Sequence, residues 1–250
     1  MNLDFFISKT PFINSYLEEI FGIRIIRKKA SFDDARDFLL EKYSIKHVID
    51  GGANEGQWAK EVLSKHRDLR IDSFEPSDSV YKILKESSDK YSSWKVHNSA
   101  LGDRNGPTSF NISDNQGQSS SVLFPQNHLI HYPQVRFVAT QNVEMVRLDS
   151  QFSDDNDSKY LKLDVQGAES IALDGSRGIL HNIIAIEIEM ALDKAYVSQL
   201  DFSESILFMS TIGYKPFSFS DPIRDKNGFA IFIDGLFLKD TLMDSTYEEV

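Results

Sequence analysis

Asp50, Gly52, Asn54 and Gly56 stand at alternate positions in the stretch HVIDGGANEG. Val48 and Ile49 read as the end of a buried strand, and residues 57–66 as a helix with Trp58, Val62 and Leu63 on one face. A strand, a glycine-rich turn and a helix start bring backbone N–H groups against a bound nucleotide. A dinucleotide fingerprint ending at Gly56 needs glycine at 51, 53 and 56, but position 53 is Ala. Asn54 can stand in for glycine where φ must be positive. A second strand, residues 69–74, ends at Glu75-Pro76, because Pro76 cannot donate to a ladder. Glu75 then sits at the carboxyl edge of a sheet, 19 residues beyond Gly56. Nucleotide-binding α/β folds place an acid at that distance to accept from ribose hydroxyls.

Further carboxylates come later in the chain. In YLKLDV, residues 160–165, Leu161, Leu163 and Val165 alternate with Lys162 and Asp164, and the turn Gln166-Gly167-Ala168-Glu169 opens a helix to about Leu173. Asp164 therefore emerges at the sheet edge where open α/β folds bind ligands. In IIAIEIE, residues 183–189, Glu187 and Glu189 share one side, opposite three isoleucines. Unpaired charge is costly inside a sheet, so the two glutamates either lie past its edge or face a cleft.

The elements that position these groups follow the βα rhythm. A helix over residues 79–85 and a strand over 94–98 lead into SALGD, where residues 98–101 would lie beside an adenine ring. Residues 106–147 break the rhythm with two alternating stretches, 108–112 and 136–148, around a polar loop that holds His128 and His131. An insertion this long is expected to be functional, as a cover over substrate. A helix over 204–211 and two final strands complete the pattern. Ahead of it, residues 1–44 read as a helical extension: Phe12, Tyr16, Leu17 and Ile20 at helical spacing, the basic β-branched run IRIIRKKA, and a helix over 32–43 capped by Ser31. The main domain is residues 45–250.

Composition excludes several classes. A chain of 250 residues, 41% hydrophobic with 18 Phe, builds a full core. With 27 Lys plus Arg against 38 Asp plus Glu, the net charge of −11 argues against nucleic acid or an anionic membrane surface as the main partner. There is no cysteine, hence no thiol nucleophile or Cys-ligated metal. The start MNLDFFISKTPFINS lacks a basic n-region, and no run reaches the ~18 apolar residues of a span. A cytoplasmic protein is expected, with a homodimer as an open alternative to a monomer.

The motifs VIDGGANEGQWAKEV, SFEPSDSVYKIL, HNSALGD, QSSSVLFP, VRLDS, YLKLDVQGAES and AIEIEM, in that order over about residues 45–240, resemble the FkbM family of class I S-adenosylmethionine-dependent methyltransferases. Their loop uses the alternate-position pattern of residues 50–56. One departure is Gly51, where many relatives carry a bulkier residue. The resemblance implies a Rossmann-like seven-stranded sheet with helices on both faces and the last strand antiparallel. It implies O-methylation of a hydroxyl on a sugar, a polysaccharide or another natural product, such as occurs in polysaccharide biosynthesis. By the same resemblance the loop residues Asp50, Gly51, Gly52, Asn54 and Gly56 take the methionine part of S-adenosylmethionine. Glu75 with Pro76 takes the ribose, Ser99, Ala100 and Leu101 flank the adenine, and Asp164 lies where methyl meets acceptor.

A sugar hydroxyl is a weak nucleophile and needs a positioned base or a metal. Asp164 and Glu187 are the candidate bases, with His128 third. A divalent cation shared by carboxylates is the less favoured route, since no ligand cluster stands out. A nicotinamide-dependent oxidoreductase would use the same sheet edge, against the loop spacing. A non-catalytic cofactor-binding protein would not need Asp164 and Glu187.

Overall fold

The structure, a computed structural model, describes residues 31–153 and 156–243. The helix expected around Phe12 to Ile20 and the run IRIIRKKA lie outside the described residues. By contacts the chain divides into residues 1–31 and 32–250, and the sheets belong to the second unit.

Helix α1 (Phe32–Lys42) precedes β1 (His47–Gly51), α2 (Gln57–Lys65), β2 (Arg70–Phe74), α3 (Asp78–Ser88) and β3 (Trp94–His97). The excursion comprises β4 (Ala100–Leu101), β5 (Gly106–Ser113), the single turn α4 (His128–His131) and β6 (Phe137–Val146). Then come the short α5 (Leu148–Gln151), β7 (Lys159–Leu163), α6 (Glu169–Asp174), β8 (Ile183–Ala191), α7 (Phe202–Thr211), β9 (Tyr214–Phe219), β10 (Ile223–Arg224) and β11 (Ala230–Lys239).

The main sheet runs β10-β11-β8-β7-β1-β2-β3, with β9 also on β11. The strands β8, β7, β1, β2 and β3 pair parallel, and β11 is antiparallel to β8 and β9. The expected seven strands with the last one reversed are present. The eighth, β10, is a two-residue continuation of the edge beside β9, separated from it by Pro222, which has no N–H to donate.

Successive residues of a strand face opposite sides, and the core divides accordingly. Val48, Ile71 and Tyr160 meet Leu39 and Leu40 of α1, Val62 and Leu63 of α2 and Leu84 of α3. Ile49, Leu161, Leu163 and Ile186 meet Ala172 and Leu173 of α6 and Met209 of α7 on the other face. Burying both faces explains why β1 and β7 have no exposed position. The excursion forms its own sheet, β4-β6-β5, over Ala100, Phe110, Val143 and Met145.

Candidate functional site

Three strand ends meet where the chemistry-bearing residues converge. Gly51 is in register with Phe74 of β2 and Leu163 of β7, so the segments after all three emerge together. Between them lies a cavity lined by Gly52, Asn54, Phe74, Glu75, Pro76, Ser99, Ala100, Leu101, Phe110, Asp164 and Gln166. Gly117, Gln118, Ser120 and Val122 of the excursion close it from above. The segment expected to cover the acceptor reaches this cavity. It is tied down there: Ser121 Oγ donates to Gln166 O at 2.7 Å and Tyr196 Oη to Ser119 O at 2.8 Å.

The turn after β1 permits only glycine at its second position. Gly52 has φ 76°, and a Cβ there would stand 1.8 Å from the carbonyl oxygen of Asp164. Asn54 takes φ 47°, the substitute role expected of it. The backbone donors of this turn are not bare. Gly52 N and Ala53 N donate to Phe74 O, Asn54 N to Glu75 Oε2, Glu55 N to Asn54 Oδ1 and Gly56 N to Ala53 O, all at 2.9–3.0 Å. A turn with its N–H groups used internally is no cradle for a pyrophosphate, the group a dinucleotide would bring.

Glu75 is buried at the cavity wall and also accepts from Ser77 N at 2.8 Å. Burial pushes its carboxyl up to about 7, against the lowering effect of the two N–H donors. Pro76 and Ser99 to Leu101 line the cavity.

Three loop residues stand elsewhere. Asp50 is fully buried behind the turn, where Ser73 Oγ donates to its Oδ2 at 2.9 Å. Gly51 is a packing glycine, since a Cβ would meet Leu101 and Leu163 within 2.8 Å. Gly56, at φ 82°, caps α2 and lets it approach Trp94, whose ring a Cβ would meet at 2.4 Å. None of the three lines the cavity, because Asp50 is taken up by Ser73 and Lys162 on the neighbouring strands and close packing takes up the two glycines.

A second cleft adjoins the first. Its lining includes Phe32, Arg36, Trp58, Lys162, Glu187, Glu189 and Asp234, and it shares Gly52, Asn54 and Asp164 with the first cavity. The Asp164 side chain is 42% exposed at this junction. Gln166 Nε2 donates to its Oδ1 at 2.9 Å, and Lys162 Nζ stands 3.6 Å from its Oδ2.

Glu187 faces the cleft but is engaged: Arg36 donates from Nε at 2.7 Å and Nη2 at 3.1 Å, and Tyr160 Oη donates as well. A carboxylate held by three donors is committed to structure, and it anchors α1 to the sheet. Burial and neighbouring charges, Asp164 first among them, push Asp234 up to about 6 and Glu189 well above the ordinary range.

His128 is not brought to either cavity. It is buried among Tyr132, Phe137 and Tyr196, with ring centroids 5.1–5.5 Å away, and burial lowers its ring to about 4. A neutral, desolvated ring in an aromatic cluster is a packing residue. Sequence reasoning missed Arg36, Trp58, Phe110 and the role of Lys162. Only Lys162 carried a signal, its alternation with Asp164 on one side of β7.

Among the described residues no group of three or more His, Asp and Glu is placed to hold a metal ion, and no helix is long and apolar enough to cross a membrane. The first cavity fits S-adenosylmethionine on its own features: a turn that only glycine permits, a buried carboxylate, and apolar Phe74, Leu101 and Phe110 in its lining.

Residues 50–216 match the methyltransferase FkbM domain. The 2-O-methyltransferase NoeI of Sinorhizobium fredii (strain NBRC 101917 / NGR234) is 30% identical over 161 residues, 61% of this chain, and the match spans 66% of that relative's length. Among solved structures, 1,6-didemethyltoxoflavin-N1-methyltransferase of Burkholderia thailandensis, with bound 1,6-didemethyltoxoflavin and S-adenosylhomocysteine, is similar at TM-score 0.43 and 9% identity, covering 94% of this chain and 86% of that one. An rRNA methylase from Streptococcus thermophilus is similar at TM-score 0.45 and 10% identity, covering 86% and 99%. At such scores neither adds to the topology seen directly.

Proposed function

The chain belongs to the FkbM methyltransferase family, and on that premise we propose that it is an S-adenosylmethionine-dependent O-methyltransferase acting on a hydroxyl of a sugar, polysaccharide or other natural-product acceptor. The observation that carries this reading is the junction: Gly52, Asn54 and Asp164 line both cavities, so a group held in one meets a group held in the other at Asp164. The 2-O-methyltransferase name of the relative supports oxygen as the atom methylated.

In this reading Glu75 accepts from the ribose hydroxyls, Ser99 to Leu101 and Phe110 enclose the adenine, and Gly52 and Asn54 adjoin the methionine part. The bound cofactor supplies a methyl group on a sulfonium, a leaving group that needs no assistance. The chain's own task is alignment and proton handling. Asp164 orients the acceptor hydroxyl and takes its proton as the oxygen–carbon bond forms. Trp58 and the carboxylates Glu189 and Asp234 receive the rest of the acceptor in the second cleft.

Calorimetric titration with S-adenosylmethionine and with NAD tests the cofactor; heat from NAD alone refutes the reading. Asp164→Asn tests the base. Asn keeps the side chain's size and its capacity to accept from Gln166. Melting and cofactor affinity should therefore stay near wild type while kcat falls about 10²–10⁴-fold. Full turnover in this variant removes Asp164 from the mechanism, and kcat in EDTA against added Mg²⁺ reads any metal requirement.

A further inference from the structure

Asp50 heads the motif that first pointed to a cofactor, yet it lines neither cavity. Its Oδ2 accepts from Ser73 Oγ, which itself accepts from Trp94 Nε1 at 2.9 Å. Its Oδ1 is buried and accepts no hydrogen bond among the described residues. What Oδ1 faces is the ammonium of Lys162, 3.7 Å away. The placement follows from register, since Asp50 and Lys162 are direct partners in the parallel ladder of β1 and β7. The same ammonium stands 3.6 Å from Asp164, two residues further along the chain and just past the end of β7. The Lys162 side chain is 10% exposed, and Nζ lies 5.7 Å from the centre of the Trp58 ring.

One buried charge is thus held midway between two carboxylates, one sealed in the sheet and one at the junction of the clefts. A lysine that only neutralised Asp50 would close to hydrogen-bond distance with it, ~2.8 Å. Burial works against the ammonium, yet Asp164 and Asp50 hold it above its ordinary value. Burial pushes Asp50 up, and Lys162 is the largest influence opposing that.

We propose that Asp50 and Lys162 form a buried charge pair that positions the Asp164 carboxylate and balances its charge, so that Asp50 acts on methyl transfer through Lys162 rather than on the cofactor. The proposal rests on Asp164 as the proton acceptor. Lys162 is then a positioning residue. The other groups facing this pair are Arg36 from α1, Trp58 from α2, Glu75 after β2, Glu187 and Glu189 from β8 and Asp234 from β11, while Glu169 at the start of α6 faces Asp164. Arg36 is taken up by Glu187 and Asp33, which leaves the charge beside Asp164 to Lys162.

The test compares wild type with Lys162→Met, Lys162→Arg and Asp50→Asn. Three quantities are read: the carbon-13 NMR titration of the Asp164 carboxyl in the ligand-free protein, the acid limb of the kcat profile, and S-adenosylmethionine affinity by calorimetry. Lys162→Met should move the NMR midpoint and the acid limb up, because a counter-charge 3.6 Å from Asp164 Oδ2 is lost. Asp50→Asn should move both down, because the remaining ammonium then serves Asp164 alone. Lys162→Arg should stay near wild type, and affinity should hold within about twofold throughout. An acid limb that follows the NMR midpoint in both directions is what a pair without a part in catalysis would not give. Midpoints that stay put or move together overturn the proposal, as does an Asp50→Asn variant whose only defect is tenfold weaker cofactor binding. If Lys162→Met does not fold, the downward movement of both midpoint and acid limb in Asp50→Asn carries the test, with Lys162→Arg as the unmoved control. NMR midpoints that move as expected under an unmoved acid limb would instead remove Asp164 as the proton acceptor.

Discussion

Glu75→Gln separates what the buried carboxyl costs the fold from what it does for the ligand. The Glu75 carboxyl is raised from an ordinary 4.5 to about 7, chiefly by burial. A raised carboxyl binds its proton more tightly in the folded chain than in the unfolded one. Between pH 4.5 and 7 the folded state therefore holds more protons, and stability falls as pH rises through that window. At 1.36 kcal/mol per pH unit the full loss is roughly 3 kcal/mol, reached above pH 7. Gln has no charge to desolvate, but it offers one oxygen where Asn54 N and Ser77 N each donate to a separate one. Its NH₂ must face one of those donors, which costs about 1–3 kcal/mol at every pH. The variant should accordingly be less stable than wild type at pH 5 and about equal to it at pH 8, so that the difference between the two proteins changes by roughly 3 kcal/mol. Urea unfolding of both ligand-free proteins at half-unit steps measures this. A difference that does not vary with pH would refute the argument. Cofactor affinity of the variant at pH 8 should fall by about 1.5–3 kcal/mol, the scale of hydrogen bonds to a charged group.

Gly52→Ala should lower the melting temperature and weaken cofactor binding at least tenfold. Its Cβ overlaps the Asp164 carbonyl at 1.8 Å, beyond the ~1–2 kcal/mol of a left-handed alanine, and unchanged calorimetry would show that the turn does not press on Asp164. His128→Phe should keep kcat within about threefold and raise stability by up to ~1–2 kcal/mol, because the buried Nδ1 has no partner to lose; a tenfold loss of turnover would return His128 to the chemistry. Asp72→Asn should destabilise by about 3 kcal/mol at neutral pH, since the carboxylate accepts from His47 Nε2 and His97 Nε2 at 2.9 and 2.7 Å. Burial raises Asp72, but those two hydrogen bonds hold it well below the usual range. Its contribution is thus present above the unfolded value and fades as pH falls through the acid range, so wild type and variant should converge in acid unfolding curves.

The sequence by itself determined the succession of strands and helices and the loop after β1. Hydrophobic period and chain-breaking residues are local signals, so β1, β2, β7 and their carboxyl-end turns were legible, and Glu75 could be placed by counting from Gly56. Lys162 and Asp164 were readable as one face of one strand. What only the tertiary structure decided is which of the polar residues face ligand. Asp50 and Glu187 have the same residue types and strand positions as functional carboxylates. Their fates depend on Lys162 across the β1–β7 ladder and on Arg36, 151 residues distant in sequence. His128 had the composition of a loop histidine and was buried by Tyr196, which no local pattern connects to it. Ser120 came over the first cavity because its neighbours are held from elsewhere, Ser121 by Asn111 and Gln166 and Ser119 by Tyr196. The physical reason is common to all four. Backbone geometry is fixed by neighbours in the chain, whereas the charge state and exposure of a side chain are fixed by the partners that packing brings to it from elsewhere.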